Sequence, residues 1–147
     1  MKTVAASEER EIDGEKTKGK KRHIVVDVLG CLLSVTVHAA NIHDTKGGIS
    51  TTKLAFDRYS SIQKFCADAG YRGTFVSDVK EHLNFDVDIS ERIKPNQWEK
   101  LPWRWVVERT FSWLNHSRRF SKDFEISKSS ALAITQISHL HTLLKRL

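Results

Sequence analysis

The sequence predicts a mixed α/β fold, a single sheet covered by helices. Three observations carry this: two β-branched runs split by a glycine turn, two later short strands alternating with amphipathic stretches, and two helical patterns near the C-terminus. The 147 residues, 39% hydrophobic and 29% charged, suffice for about one domain. Residues 1–22 read as a charged, solvated and largely flexible lead-in, because Glu8-Glu9-Arg10-Glu11, Asp13-Gly14-Glu15-Lys16 and Lys18-Gly19-Lys20-Lys21-Arg22 offer almost nothing to bury. The folded domain is expected over 23–147.

His23 to Val28 and Leu32 to His38 are the β-branched runs, and Leu29-Gly30-Cys31 has the length and glycine of a hairpin connection. Leu33, Val35 and Val37 fall on one face and Ser34, Thr36 and His38 on the other, the pattern of a half-buried strand. Asn41 to Thr45 reads as a loop, and Gly47-Gly48 precedes a weakly amphipathic helix that runs to about Tyr59. Lys64 to Asp68 is a short apolar strand that enters the glycine-bracketed turn Ala69-Gly70-Tyr71-Arg72-Gly73, and a helix from about Thr74 to Leu83 follows. Phe85, Val87 and Ile89 alternate with Asp86, Asp88 and Ser90 as a strand with one wet face. A basic loop then leads to Pro102.

Pro102 opens a helix expected to reach about Arg119, since a first-turn proline gives up an N–H that has no helical partner. Trp103, Val106, Val107, Phe111, Trp113 and Leu114 form its apolar face, opposite a polar stripe of Arg104, Glu108, Asn115 and Arg119. A last helix, about Ser130 to Arg146, is expected to pack Ile134, Ile137, Leu140, Leu143 and Leu144 on the core.

Lys and Arg number 24 against 18 Asp and Glu, and the resulting net charge of +6 favours polyanionic partners such as nucleic acid. Cys31 and Cys66 are too few and too far apart for a disulfide scaffold or a zinc knuckle, which fits a reducing, cytoplasmic setting. No run approaches the roughly 18 apolar residues of a membrane span, and no signal-peptide core is present.

Asp68, at a strand end beside a glycine turn, is placed either to cap turn amides or to face a cleft. Glu108 follows Arg104 by four residues, which allows an ordinary helix-surface pair, yet with Arg109 the same residues set a carboxylate between two guanidinium groups suited to phosphate. Clustered carboxylates are what phosphodiester chemistry without a protein nucleophile requires, because they hold hard divalent ions. Trp105, near the polar stripe, is either a packing residue or a base-stacking platform. Asp27 and Asp44 read as turn carboxylates, and His38 and His43 as loop histidines, since no further ligands complete a zinc set around them. Lys16, Lys18, Lys20, Lys21 and Arg22 form one basic patch and Arg118, Arg119 and Lys122 another, each a solvated face or a track for a phosphate backbone.

Four segments, Lys18 to Asp27, Val37 to Asp44, Ala67 to Gly73 and Arg104 to Leu114, closely resemble insertion-sequence DDE transposases, in order and over nearly the whole chain. The resemblance implies a ribonuclease H-like mixed sheet flanked by helices and an Asp, Asp, Glu set that binds two Mg²⁺ ions for DNA strand cleavage and transfer. Asp68 matches the second aspartate and Glu108 the glutamate. Arg104 and Arg109 would neighbour the substrate phosphates, with Lys18, Lys20, Lys21, Arg22 and Arg119 as further DNA contacts. The family's first aspartate lies just before the stretch resembling Lys2-Thr3-Val4. The chain is therefore expected to be the C-terminal part of such an enzyme, without that ligand, the first sheet strand and the N-terminal DNA-binding region, and inactive alone. The expected partners are element-end and target DNA, with self-association or an N-terminal transposase fragment besides, and a nucleoid-associated setting. A non-catalytic DNA-binding or interfering remnant is the alternative.

Overall fold

The structure, a computed structural model, describes residues 11–12, 18–90 and 103–147. The elements run β1 (Glu11–Ile12), β2 (Lys18–Val26), β3 (Leu32–Ala39), α1 (Asp44–Arg58), β4 (Phe65–Asp68), a 3-10 turn (Ala69–Tyr71), α2 (Thr74–Leu83), β5 (Val87–Ser90), α3 (Arg104–Leu114) and α4 (Lys128–Leu144). The mixed α/β reading holds; among the described residues, β1, β2 and β3 form one antiparallel sheet, and β4 and β5 pair in parallel in another. β2 takes in Lys18–Arg22, five residues assigned above to the lead-in. The basic loop before Pro102, Pro102 itself and residues 13–17 lie outside the described residues.

The β2–β3 hairpin turns where the sequence places it. Asp27 Oδ1 accepts the amides of Leu29 at 2.9 Å and Cys31 at 2.8 Å, and Gly30 closes the turn at φ +88°, a conformation that costs glycine little. β3 is not half-wet. Val35 and Val37 are buried on one face, and α1 covers the other, where Ser34 Oγ donates to the Thr51 carbonyl at 2.7 Å and Thr36 pairs with Thr51. Hydroxyls bury readily when each finds a partner, so the polar half of the alternation carries a helix instead of water.

α1 begins at Asp44, inside the expected loop, because His43 caps it by accepting the Thr45 amide. Gly47 and Gly48 therefore sit within the helix, where a Cβ on Gly47 would overlap the His23 ring and one on Gly48 would meet Tyr71 at 2.6 Å. The core between α1, α2 and the smaller sheet gathers Phe65, Phe75 and Val79, with Phe56 and Phe85 edge-on at 5.0 Å. α2 runs over the expected residues and ends on Asn84 in the left-handed region.

Two helices depart from expectation. α3 spans Arg104–Leu114 and buries Val106, Thr110 and Leu114, leaving Trp103 54% exposed. α4 turns Ala131, Thr135, Ser138 and His139 to the core and leaves Ile137, Leu140 and Leu144 more than half exposed. Small side chains let α4 lie close on β3, and its polar atoms are engaged: Thr135 donates to Ala131, and His139 Nε2 accepts the Leu32 amide at 3.0 Å.

Candidate functional site

Among the described residues β2 and β4 lie in different sheets, and between them is a groove of about 620 Å³ that is mainly apolar. Ile24 and Val25 line it from β2, Phe65 from β4, and Val106 and Phe111 from α3. Both carboxylates singled out from the sequence border it. Asp68 closes β4 and is exposed; its Oδ1 accepts the Gly70 amide at 2.9 Å, so the turn-capping role is real and fixes one oxygen. The second oxygen has no hydrogen-bond partner among the described residues. Glu108 reaches the same groove from α3, on the exposed side of the helix.

α3 is held in place by the hairpin turn. The Thr110 hydroxyl lies 3.2 Å from the Gly30 carbonyl, and Arg109 Nη2 donates to the Leu29 carbonyl at 3.1 Å. A Cβ at Gly30 would stand 2.9 Å from both Thr110 Oγ1 and the Trp113 ring, so the glycine permits this approach. Arg109 is sandwiched between Trp105 and Trp113, 4.2 and 4.7 Å from their ring centres, and Arg146 covers Trp113 at 3.3 Å. Trp105 thus stacks on Arg109, the guanidinium named above as a phosphate neighbour, which here joins helix to turn through Nη2.

Asp27 also lines the groove, but its Oδ1 is committed to the hairpin amides. Asp44 pairs with Lys21 at 3.3 Å, at the start of α1. His43 serves as a cap and His38 Nε2 meets Thr36, so the structure does not bring these two histidines into one ligand set. Among the described residues, the ligand atoms that do converge are those of Asp78, Glu81 and His82 on α2.

Of the first basic patch, Lys20 and Arg22 turn inward. Lys20 is buried, donates to the Glu125 carbonyl and lies 3.5 Å from Asp123; Arg22 lies 3.9 Å from Asp123 and over the Phe120 ring. Burial, partly offset by Asp123 and Glu125, holds the Arg22 guanidinium below its ordinary pKa. Arg119 pairs with Glu125 at 2.6 Å while remaining 64% exposed. Arg118 and Lys122 are exposed, whereas the side chains of Lys18 and Arg104 lie outside the described ones.

The sequence reading assigned no role to His23 and Tyr71, which line the groove beside Asp68. His23 Nδ1 and the Tyr71 hydroxyl lie 2.9 Å apart, and the phenol is pushed up to about 12 by burial first and then by Asp44 and Asp68. The signal was the tyrosine inside the turn that positions Asp68. No helix among the described residues is long and apolar enough to cross a membrane.

Residues 3–143 match the sequence model of the family described as Transposase DDE domain. The chain is also 29% identical, over 114 residues and 73% of its length, to a Burkholderia cepacia protein that carries the name of a transposase for insertion sequence element IS402. It spans about half of that relative, 54%. No solved structure matches it.

Proposed function

This chain belongs to the transposase DDE domain family, and from that premise we propose that it is a catalytic portion of an insertion-sequence transposase that cleaves and joins DNA strands at the groove bordered by Asp68 and Glu108. The observation that supports the reading most is the arrival of these two carboxylates, 40 positions apart in sequence, at one groove. Both offer hard oxygen donors at its rim, a donor set that fits Mg²⁺ or Mn²⁺. A divalent ion bound there supplies Lewis-acid stabilisation of the phosphoryl oxygens and a more acidic water.

The chain's own residues do the rest. Asp68 presents a carboxylate whose direction is set by the Gly70 amide, and Glu108 presents one from a helix pinned to the hairpin turn through Arg109 and Thr110. That pinning keeps the two groups in register when a phosphodiester enters, so little reorganisation is left to the reacting state. DNA is the proposed partner, with exposed Arg118, Arg119 and Lys122 as backbone contacts, and a ribonuclease H-like assembly in the bacterial cytoplasm as the setting.

Titrating the purified chain with Mn²⁺ tests the site without requiring turnover. Asp68→Asn and Glu108→Gln should each weaken binding at least about tenfold, the scale expected when one charged ligand leaves a metal site. Placed in a full-length transposase, either change should lower cleavage of an element-end duplex by roughly 100-fold or more. Equal Mn²⁺ affinity in all three proteins would overturn the assignment.

A further inference from the structure

His23 stands on β2 and is only 6% exposed, while Tyr71 closes the 3-10 turn that follows Asp68; imidazole Nδ1 and phenol oxygen meet at 2.9 Å. Packing holds both rings. Tyr71 lies edge-on to Phe75 at 5.0 Å and against Gly48, where a Cβ would stand 2.6 Å from it. α1 presses on the histidine in the same way, since a Cβ on Gly47 would overlap that ring.

The direction of the bond follows from its surroundings. Nε2 of His23 is buried with no hydrogen-bond partner among the described residues. If the phenol donated to Nδ1, the imidazole proton would sit on Nε2 as a buried, unpartnered N–H, which folded proteins rarely keep. With the proton on Nδ1, the ring donates to Tyr71 and only a lone pair is left over. The local field points the same way. Asp44 and Asp68 lie close enough to the phenol to help hold its proton in place, and their charge turns the positive end of the O–H dipole toward them, away from His23. Tyr71 therefore accepts from His23 and keeps its own O–H for a further acceptor, on the groove wall beside Asp68.

We propose that Tyr71 is a substrate-contacting residue whose hydroxyl, oriented by the Nδ1–H of His23, donates to a non-bridging oxygen of a phosphodiester seated at Asp68. The inference rests on the reading of the groove as a DNA-processing site and adds to it a neutral donor and a positioning residue. A phenol suits the place, because a lysine or arginine there would pair with Asp68 and compete with a divalent ion for its oxygens.

Two measurements test this in the full chain. ¹⁵N-histidine spectra at about pH 8, above the imidazole range, show which ring nitrogen carries the proton, with His23 assigned by the signals that Tyr71→Phe shifts and His23→Asn removes. The proton should sit on Nδ1; a proton on Nε2 would overturn the proposal. Binding of a short DNA duplex in Mg²⁺ reads the contact itself. Tyr71→Phe keeps the ring in its packing and should weaken that binding about tenfold or more, the scale of a hydrogen bond to a charged group. His23→Gln, whose amide reaches the place of Nε2, should lose as much, whereas His23→Asn puts an N–H donor where Nδ1 stands and should restore most of the affinity. A merely structural histidine would make no such distinction, and equal losses in the two would overturn its positioning role. Urea unfolding checks that each variant keeps its fold; should a histidine variant fail, the native spectra and Tyr71→Phe still decide. Equal duplex affinity in Tyr71→Phe, or no duplex binding by the native chain, would overturn the contact. The Mn²⁺ titration of Asp68→Asn and Glu108→Gln reports on the carboxylates by itself: if it gives the expected losses while Tyr71→Phe binds duplex normally, the phenol's role falls and the carboxylate site stands.

Discussion

Gly30 illustrates how much one position can carry. Its φ of +88° lies where an L side chain is strained, and an added Cβ would stand 2.9 Å from Thr110 and Trp113. Gly30→Ala should therefore destabilise the fold by about 2–4 kcal/mol, the backbone strain and the overpacking acting together. Urea unfolding at fixed pH measures it, and a loss under about 0.5 kcal/mol would show that α3 does not depend on this approach. Lys20 makes the parallel case for charge, with its side chain fully buried and Asp123 21% exposed. Removing one partner of a fully buried pair costs roughly 3–5 kcal/mol. Because Asp123 keeps some water, Lys20→Ala should cost less, about 2–3 kcal/mol by the same reasoning. A neutral result would mean that the Lys20 contacts contribute nothing net. Nothing near Lys20 in the sequence announces this role, since the carbonyl it meets belongs to a residue 105 positions later.

Helices and strands show the same division between what is local and what is not. The hairpin turn, the span of α2 and Asp68 at a strand end are local chemistry, set by glycine, alternation and an aspartate that caps amides. The orientation of α4 is not. Its apolar residues outnumber its core-facing ones, yet Ala131, Thr135, Ser138 and His139 make the contact, because only short side chains allow α4 to seat on β3 and bring His139 to the Leu32 amide. That seating makes the joint sensitive to acid. Burial first, then Arg146, holds His139 below the ordinary 6.5; burial first, then His38, does the same for His23, and burial leads at His38 as well. A histidine kept neutral in the fold takes up a proton more readily when unfolded, so its contribution is complete above pH 6.5 and is lost as pH falls below it. Each such group adds up to about 1.4 kcal/mol per pH unit to the slope. Stability measured by urea unfolding should decline from pH 7 to pH 5, and His139→Gln should make the decline shallower. An unchanged slope would show that His139 binds protons alike in the folded and unfolded chain and would overturn this account.

For the whole molecule, the net charge of +6 is a poor guide to where a polyanion would sit, because the fold consumes much of the basic patch nearest β2. Lys20 and Arg22 face Asp123, and Lys21 faces Asp44, so these charges are already met within the protein. The turn after α3 differs, since Arg118 and Lys122 are exposed and Arg119 keeps 64% of its side chain in solvent beside Glu125. Phosphate contacts release counterions, so the logarithm of affinity falls with the logarithm of salt concentration by about 0.9 for each phosphate neutralised. If DNA tracks that turn, as proposed, Arg118→Ala combined with Lys122→Ala should flatten the slope by about 1.8, two contacts at 0.9 each. Lys20→Ala should leave the slope unchanged wherever the variant stays folded, although it lowers stability. Fluorescence anisotropy with a duplex over a salt series reads both variants. A Lys20→Ala slope reduced by about 0.9, with the double variant unaltered, would move the DNA path to β2 and mean that the internal ion pairs open on binding.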